Sequence, residues 1–240
     1  MSVAPDADVA AAAADYRWLL DRGYPDQGAL KLVGDRYRLS RTGRAMLYRG
    51  VFSTTDSTRR AAKLVPFDTL EAGTLEADTL TIDGHNVLFT IWNALAGRPV
   101  VEATDWLVRD IGGPRSRLPH DERFDRVAGM LCRALASAGV PDITVLLDDP
   151  LPWSREQCTT LERIWAESAP AGGGRLVART ERSVDAAVAA TASGLIATSD
   201  TAVVDRCPVR VVDLGGYVVT RLLERTPIVM EPQEQPPGAG

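Results

Sequence analysis

Histidine, cysteine and long apolar runs are what this 240-residue chain has least of. Its three cysteines (Cys132, Cys158 and Cys207) are scattered, odd in number and form no C-x-x-C pair. That argues against a disulfide framework or a zinc site and points to a reducing, cytoplasmic compartment. No apolar stretch reaches the roughly 18 residues of a membrane span, and the Ala-rich opening Val9 to Ala14 runs straight into charged sequence. Neither a membrane segment nor a signal peptide is expected. The P-loop pattern G-x-x-x-x-G-K-[ST] is missing, as are a G-x-G-x-x-G after the first strand and a G-x-S-x-G elbow.

What is present begins with an uneven charge. Residues 1–64 hold eleven basic and seven acidic residues, a surplus of four, whereas the whole chain stands at −5, leaving −9 for the remainder. A basic front joined to an acidic back fits a nucleic-acid-facing module attached to a carboxylate-rich site, and equally two solvated surfaces of opposite sign.

Apolar spacing predicts helices from Val9 to Arg22, from Pro25 to about Tyr37, and from Arg41 to Arg49 behind a Ser40 cap. Residues 1–60 thus read as a helical, basic front domain, with the Ser/Thr-rich stretch Ser53 to Arg60 as a loop. Residues 61–77 read as a connector. From residue 78 to 228 short apolar strands alternate with helices, the signature of βαβ units and a mainly parallel, doubly covered sheet. Strands are expected near Leu80, Arg98 to Ala103, Ile143 to Pro150, Arg175 to Arg179, Gly194 to Thr198 and Val209 to Val212. Helices are expected at Val87 to Leu95, 121–138, Arg155 to Ser168, Ser183 to Ala192 and Tyr217 to Glu224. Residues 229–240 read as a Pro- and Gln-rich disordered tail.

Three acids terminate three buried strands: Asp83 after LTI, Asp148 after ITVLL and Asp200 after LIATS. Ligands of parallel sheets sit beyond the carboxyl ends of strands, so these carboxylates share one edge. Asp105, Asp110, Asp149 and Asp205 lie close by in sequence. Gathered like charges need a compensating cation. With few histidines and no thiolate cluster the ligands are oxygens, which select Mg²⁺ or Mn²⁺. On this reading Asp83, Asp148 and Asp200 hold the metal. Read one at a time, the same residues serve as turn and cap: Asp-Gly makes a turn, Asn86 caps the helix from Val87, and Asp200 caps a turn after it. In the front domain Arg36, Arg38, Arg41, Arg44 and Arg49 interleave with Tyr37 and Tyr48. That pattern suits phosphate and base contacts, and equally the packing of long side chains over a small helical domain.

The segments IDGHN (Ile82 to Asn86), VLLDDP (Val145 to Pro150) and ATSD followed by Asp205 resemble the acidic motifs of PIN-like nuclease domains, the D-G-x-N form being closest to the NYN branch. The whole chain is also similar to a prokaryotic two-domain family in which a helical domain carrying a segment like Leu30 to Ser53 precedes a PIN-like domain. The resemblance implies a Rossmann-like three-layer fold and Mg²⁺- or Mn²⁺-dependent RNA cleavage. It places Asp83, Asp148 and Asp200 at the motif acids and Asn86 at the motif asparagine. The fourth acid it calls for has Asp105 and Asp110 as candidates. Three functions are thereby framed: a metal-dependent ribonuclease, a non-catalytic RNA- or protein-binding module of the same fold, and a small-molecule phosphohydrolase.

Overall fold

A computed structural model describes residues 7–71, 77–112, 118–170 and 174–230. The expected tail from Glu231 onward lies outside them, as does part of the expected connector. Four helices open the chain: α1 (Ala7–Leu20), α2 (Asp26–Arg36), α3 (Arg41–Gly50) and α4 (Thr54–Ala61). Then come β1 (Leu64–Val65), α5 (Asp68–Glu71), β2 (Thr79–Asp83), α6 (Gly84–Leu95), β3 (Val100–Glu102), β4 (Val108–Asp110) and α7 (Glu122–Ala138). The second half runs β5 (Asp142–Asp148), α8 (Ser154–Ser168), β6 (Arg175–Glu181), α9 (Val184–Ala189), β7 (Leu195–Ala197), α10 (Thr201–Arg206) and β8 (Arg210–Val212). It closes with α11 (Leu214–Tyr217), a π-helical turn over Val218–Leu222, and β9 (Ile228–Val229). None of the described helices is long and apolar enough to cross a membrane.

The fold is α/β. Six parallel strands form the main sheet in the order β1-β8-β7-β2-β5-β6. The uninterrupted apolar runs follow from cover on both faces. Along β5, Val145 and Leu147 enter the large core shared with α6, α7 and α8, while Leu146 faces the core formed with α9 and α10. Ile196 of β7 and Val211 of β8 join Leu146, and Ala197 and Val212 face the other way. From β2 the chain builds outward through β5 and β6, then returns to the opposite side of β2 with β7 and β8. The crevice at that reversal, beyond the ends of β2, β5 and β7, is where such sheets receive ligands.

Four expectations need correction. Ser53 to Arg60 is mostly helix rather than loop. Ser53 caps α4 by accepting from the Asp56 amide at 3.1 Å, and Ser57, Arg60 and Ala61 form its buried face. Composition suggested a loop because no conventional apolar residue but alanine marks that face. The strand at β3 belongs to a separate small sheet, antiparallel to β4 and parallel to β9. The terminal helix is α11 followed by the π-helical turn. The segment read as connector supplies β1, which pairs with β8 at the edge of the main sheet.

Val9, Tyr16, Leu19, Val33 and Leu47 of the front helices share one core with Val101 of β3 and Met230, just after β9. Packing is tight there: a Cβ on Gly50 would lie 2.5 Å from Met230 Cγ. Gly84 matters more for the site. It is not a turn residue but the first residue of α6, which leaves β2 with no intervening loop. A Cβ at Gly84 would lie 2.7 Å from the Leu146 carbonyl oxygen and 2.5 Å from Leu147 Cδ2. Only glycine lets α6 approach β5 this closely. Gly84→Ala is expected to lower stability by about 1–3 kcal/mol, read as a drop in the denaturant midpoint with unchanged slope.

Candidate functional site

Asp83 ends β2 and is 3% exposed. Its carboxylate accepts the Thr198 hydroxyl at 2.8 Å and the Asn86 amide at 3.4 Å. Burial raises its pKa to about 7, and the nearby carboxylates of Asp185 and Asp200 push in the same direction. Asn86 ties the two central strand ends together: its side-chain oxygen accepts from the Ser199 amide at 2.8 Å and the Ser199 hydroxyl at 3.1 Å. Asp200 caps α10 by accepting from the Ala202 and Val203 amides. Asp148 ends β5, two residues beyond the register partner of Asp83, with its carboxylate 2.9 Å from Nδ1 of the buried His85. His85 is 4% exposed because α6 starts directly at Gly84 and carries it into the interior.

A fourth carboxylate joins these three, and it is neither of the sequence candidates. Asp185, in the first turn of α9, has a raised pKa through burial, then through Asp200 and Asp148. In sequence it is indistinguishable from an acid placed to complement a helix N-terminus. Its position just past the carboxyl end of β6 was the usable signal.

The remaining candidates are held elsewhere. Asp105 is fully buried and grips Arg109 through both oxygens, at 2.6 and 2.8 Å. Asp110 accepts from Asn93 at 2.9 Å and from the Gly112 amide at 2.7 Å. Asp205 takes both Arg60 nitrogens at 2.8 Å, and its pKa lies below normal because those bonds outweigh burial. Asp149 faces Arg155 at 3.4 Å. Occupied by protein donors, Asp105, Asp110 and Asp205 are structural.

These pairs form a buried chain. Asp205 holds Arg60, Arg60 Nη1 stands 3.6 Å from Asp105, Asp105 holds Arg109, and Arg109 Nε donates to the Ser199 carbonyl at 2.7 Å. Both guanidinium groups also lie over the Phe52 ring, at 4.5 and 4.9 Å. The chain connects α4 to the turn carrying Ser199 and Asp200. Arg109→Leu strands Asp105 in the interior and is expected to destabilise by about 3–5 kcal/mol. Chemical denaturation would show it, and a loss under 1 kcal/mol, on the scale of a surface pair, would contradict the role assigned.

A cleft of about 570 Å³ opens between the front helices and this edge, lined by Tyr24, Tyr48 and Arg49 on one side and by Asn86, Ser199 and Asp200 on the other. Of the five arginines singled out from sequence, Arg49 alone lines it. Arg36 pairs with Asp15 at 3.5 Å and Arg44 with Asp35 at 2.8 Å, while Arg38 and Arg41 are exposed away from it. As the side chains stand, no three His, Cys, Asp or Glu among the described residues form a group that could hold a metal ion. Asp83 feels the charge of Asp185 and Asp200, and Asp185 that of Asp200 and Asp148, but the four do not converge on a point.

Asp83 gives this edge a pH signature. Its folded-state pKa of about 7 exceeds the ordinary 3.8, so the fold prefers the protonated carboxyl. Stability from this group is full below the lower value and is lost as pH rises through the upper one. In EDTA, Asp83→Asn is therefore expected to raise the melting temperature relative to the parent at about pH 8, with the difference shrinking towards about pH 4. Equal differences at both pH values would refute the assignment.

A family model described as "Domain of unknown function (DUF5616)" matches residues 72–217, and one described as "Protein of unknown function (DUF434)" matches residues 9–63. The "Uncharacterized protein MJ0935" of Methanocaldococcus jannaschii is 26% identical over 135 residues, covering 55% of this chain and 61% of that protein. The chain thus spans under two thirds of that relative's length. No solved structure matches.

Proposed function

Starting from a chain that belongs to the family described as Domain of unknown function (DUF5616), we propose a PIN-like, NYN-type domain that hydrolyses phosphodiester bonds of RNA with Mg²⁺ or Mn²⁺. The observation that carries this reading is the cleft, which sets an arginine and two exposed tyrosines from the helical front opposite Asn86, Ser199 and Asp200, the last the one site acid that lines it. Polyanion, unpaired base and hydrolytic centre would each find a partner across one gap.

The donor set suits a hard cation in kind. The acids along this edge are carboxylates with no thiolate among them, and the ionised form of Asp83 is disfavoured by burial and then by Asp185 and Asp200. Asp83, Asp148, Asp185 and Asp200 are the residues that would hold the cation. When bound, such an ion lowers the pKa of a coordinated water and shields the phosphate. The chain's own groups do the rest. Thr198 and the Asn86 amide fix the Asp83 carboxylate, His85 fixes Asp148, and Arg49 stands where a phosphate entering the cleft would pass. Tyr24 and Tyr48, 53% and 42% exposed, offer ring faces to bases.

A second reading, an RNA-binding module of the same fold without turnover, is favoured by the carboxylates' failure to converge. Incubation with labelled single-stranded RNA and Mn²⁺ separates the two. Cleavage is expected in the parent protein and is expected to fall at least about a hundredfold in Asp83→Asn and Asp185→Asn. RNA retained but uncut by the parent would establish the second reading, and turnover of small phosphate esters alone would replace both.

A further inference from the structure

A second pocket, of about 350 Å³, shares no lining residue with the cleft and lies beyond the carboxyl ends of β1 and β8, walled by the β3–β4 hairpin and α11 with its π-helical turn. Its walls carry three aromatic rings, Phe67, Trp106 and Tyr217, the first and last 4.4 Å apart between centroids. Its charged lining is Asp68, Glu102, Asp213 and Arg221, an excess of two negative charges. Two of the acids are engaged. Asp68 pairs with Arg221, and the Asp213 oxygens accept from the Val108 and Gly216 amides at 2.8 Å each. Glu102 is different. It ends β3 half-buried, and its carboxylate makes no hydrogen bond or ion pair among the described residues.

We propose that this pocket binds a small organic cation, an aliphatic ammonium or guanidinium, with Glu102 as its counter-ion and the Trp106 ring as its cation-facing wall. The chemistry selects the ligand. An anion would meet an unpaired carboxylate, and a neutral apolar molecule would bury Glu102 further without compensation. A bare metal ion would find one free carboxylate, since the Asp213 oxygens are taken by backbone amides. An organic cation satisfies the carboxylate and the rings together, because indole is the best of the aromatic faces for positive charge. Burial alone pushes the Glu102 carboxyl above its usual range, the mark of a group with no cation beside it. The backbone agrees: Trp106 is held at φ +70°, a left-handed conformation costly for a residue with a side chain, and the π-helical turn forms part of the same wall. The volume suits a small molecule.

Calorimetric titration of the full chain with agmatine, which carries both cationic groups, tests the proposal. An uncharged diol of similar length serves as the control. Saturable agmatine binding is expected, with affinity reduced roughly tenfold or more by Glu102→Gln and by Trp106→Gly, and no binding of the diol. Trp106→Gly removes the ring at a φ that glycine accepts freely, so the variant keeps its fold; melting curves of both variants confirm this. Absence of saturable binding at millimolar agmatine, equal affinity in all three proteins, or equal binding of the diol would each overturn the assignment. None of these results depends on RNA cleavage, so the two readings stand or fall separately.

Discussion

The junction between the helical front and the strand ends depends on a row of alternating charges, the half-buried Asp205 and the buried Arg60, Asp105 and Arg109, that ends on the Ser199 carbonyl. Isolated, any one of these groups would be too costly to bury. Together, with bidentate geometry at two of the three links, they balance one another's charge, although the buried Arg60 Nη1 at the middle link makes no hydrogen bond. Each comes from a different part of the fold: α10, α4, the β3–β4 loop and β4. The row therefore links the helical front, the small sheet and the turn bearing Asp200 across the cleft. Lys63 strengthens the same junction by donating to the Val204 and Cys207 carbonyls at 2.7 and 2.8 Å, closing the C-terminal end of α10.

That row also reinterprets the charge asymmetry. A basic front and an acidic back suggested an open basic face for nucleic acid. Much of the front's positive charge is turned inward or paired at home. Arg59 and Arg60 hold Asp205 of the back half, and Arg36 and Arg44 hold acids of the front. Even Arg49, which lines the cleft, donates to the Asp110 carbonyl at 3.3 Å and stands 3.9 Å from the Asp110 carboxylate. Charge along a sequence counts residues, whereas the field at a site counts the unpaired ones.

Legibility followed the length and burial of each element. The strands that became β2, β5 and β7 could be read as short apolar runs because cover on both faces buries them, whereas the edge strand β6 shows an alternating pattern. The acids ending β2 and β5, and the one just past β7, were visible for the same reason, as breaks in those runs. Elements of two or three residues, β1, β4 and β9, leave no periodic trace, and α4 hides its buried face behind Ser57 and Arg60. Asp105 and Asp205 looked like further site acids because their partners, Arg109 and Arg60, are recognisable only once the chain has folded. Asp185 was overlooked for the opposite reason, since a first-turn acid on a helix already has a sufficient local explanation.

Met230 closes the core of helices that begin more than two hundred residues earlier, pressed against Gly50 and Val101. During synthesis, the front helices can therefore gather but not seal. Their shared interior keeps an open side until β9 has left the ribosome and docked beside β3. This core is thus completed by a segment translated after the whole main sheet. The first-made segment is among the last to be completed, and a chain that stops short of residue 230 carries an exposed apolar face at its opposite end.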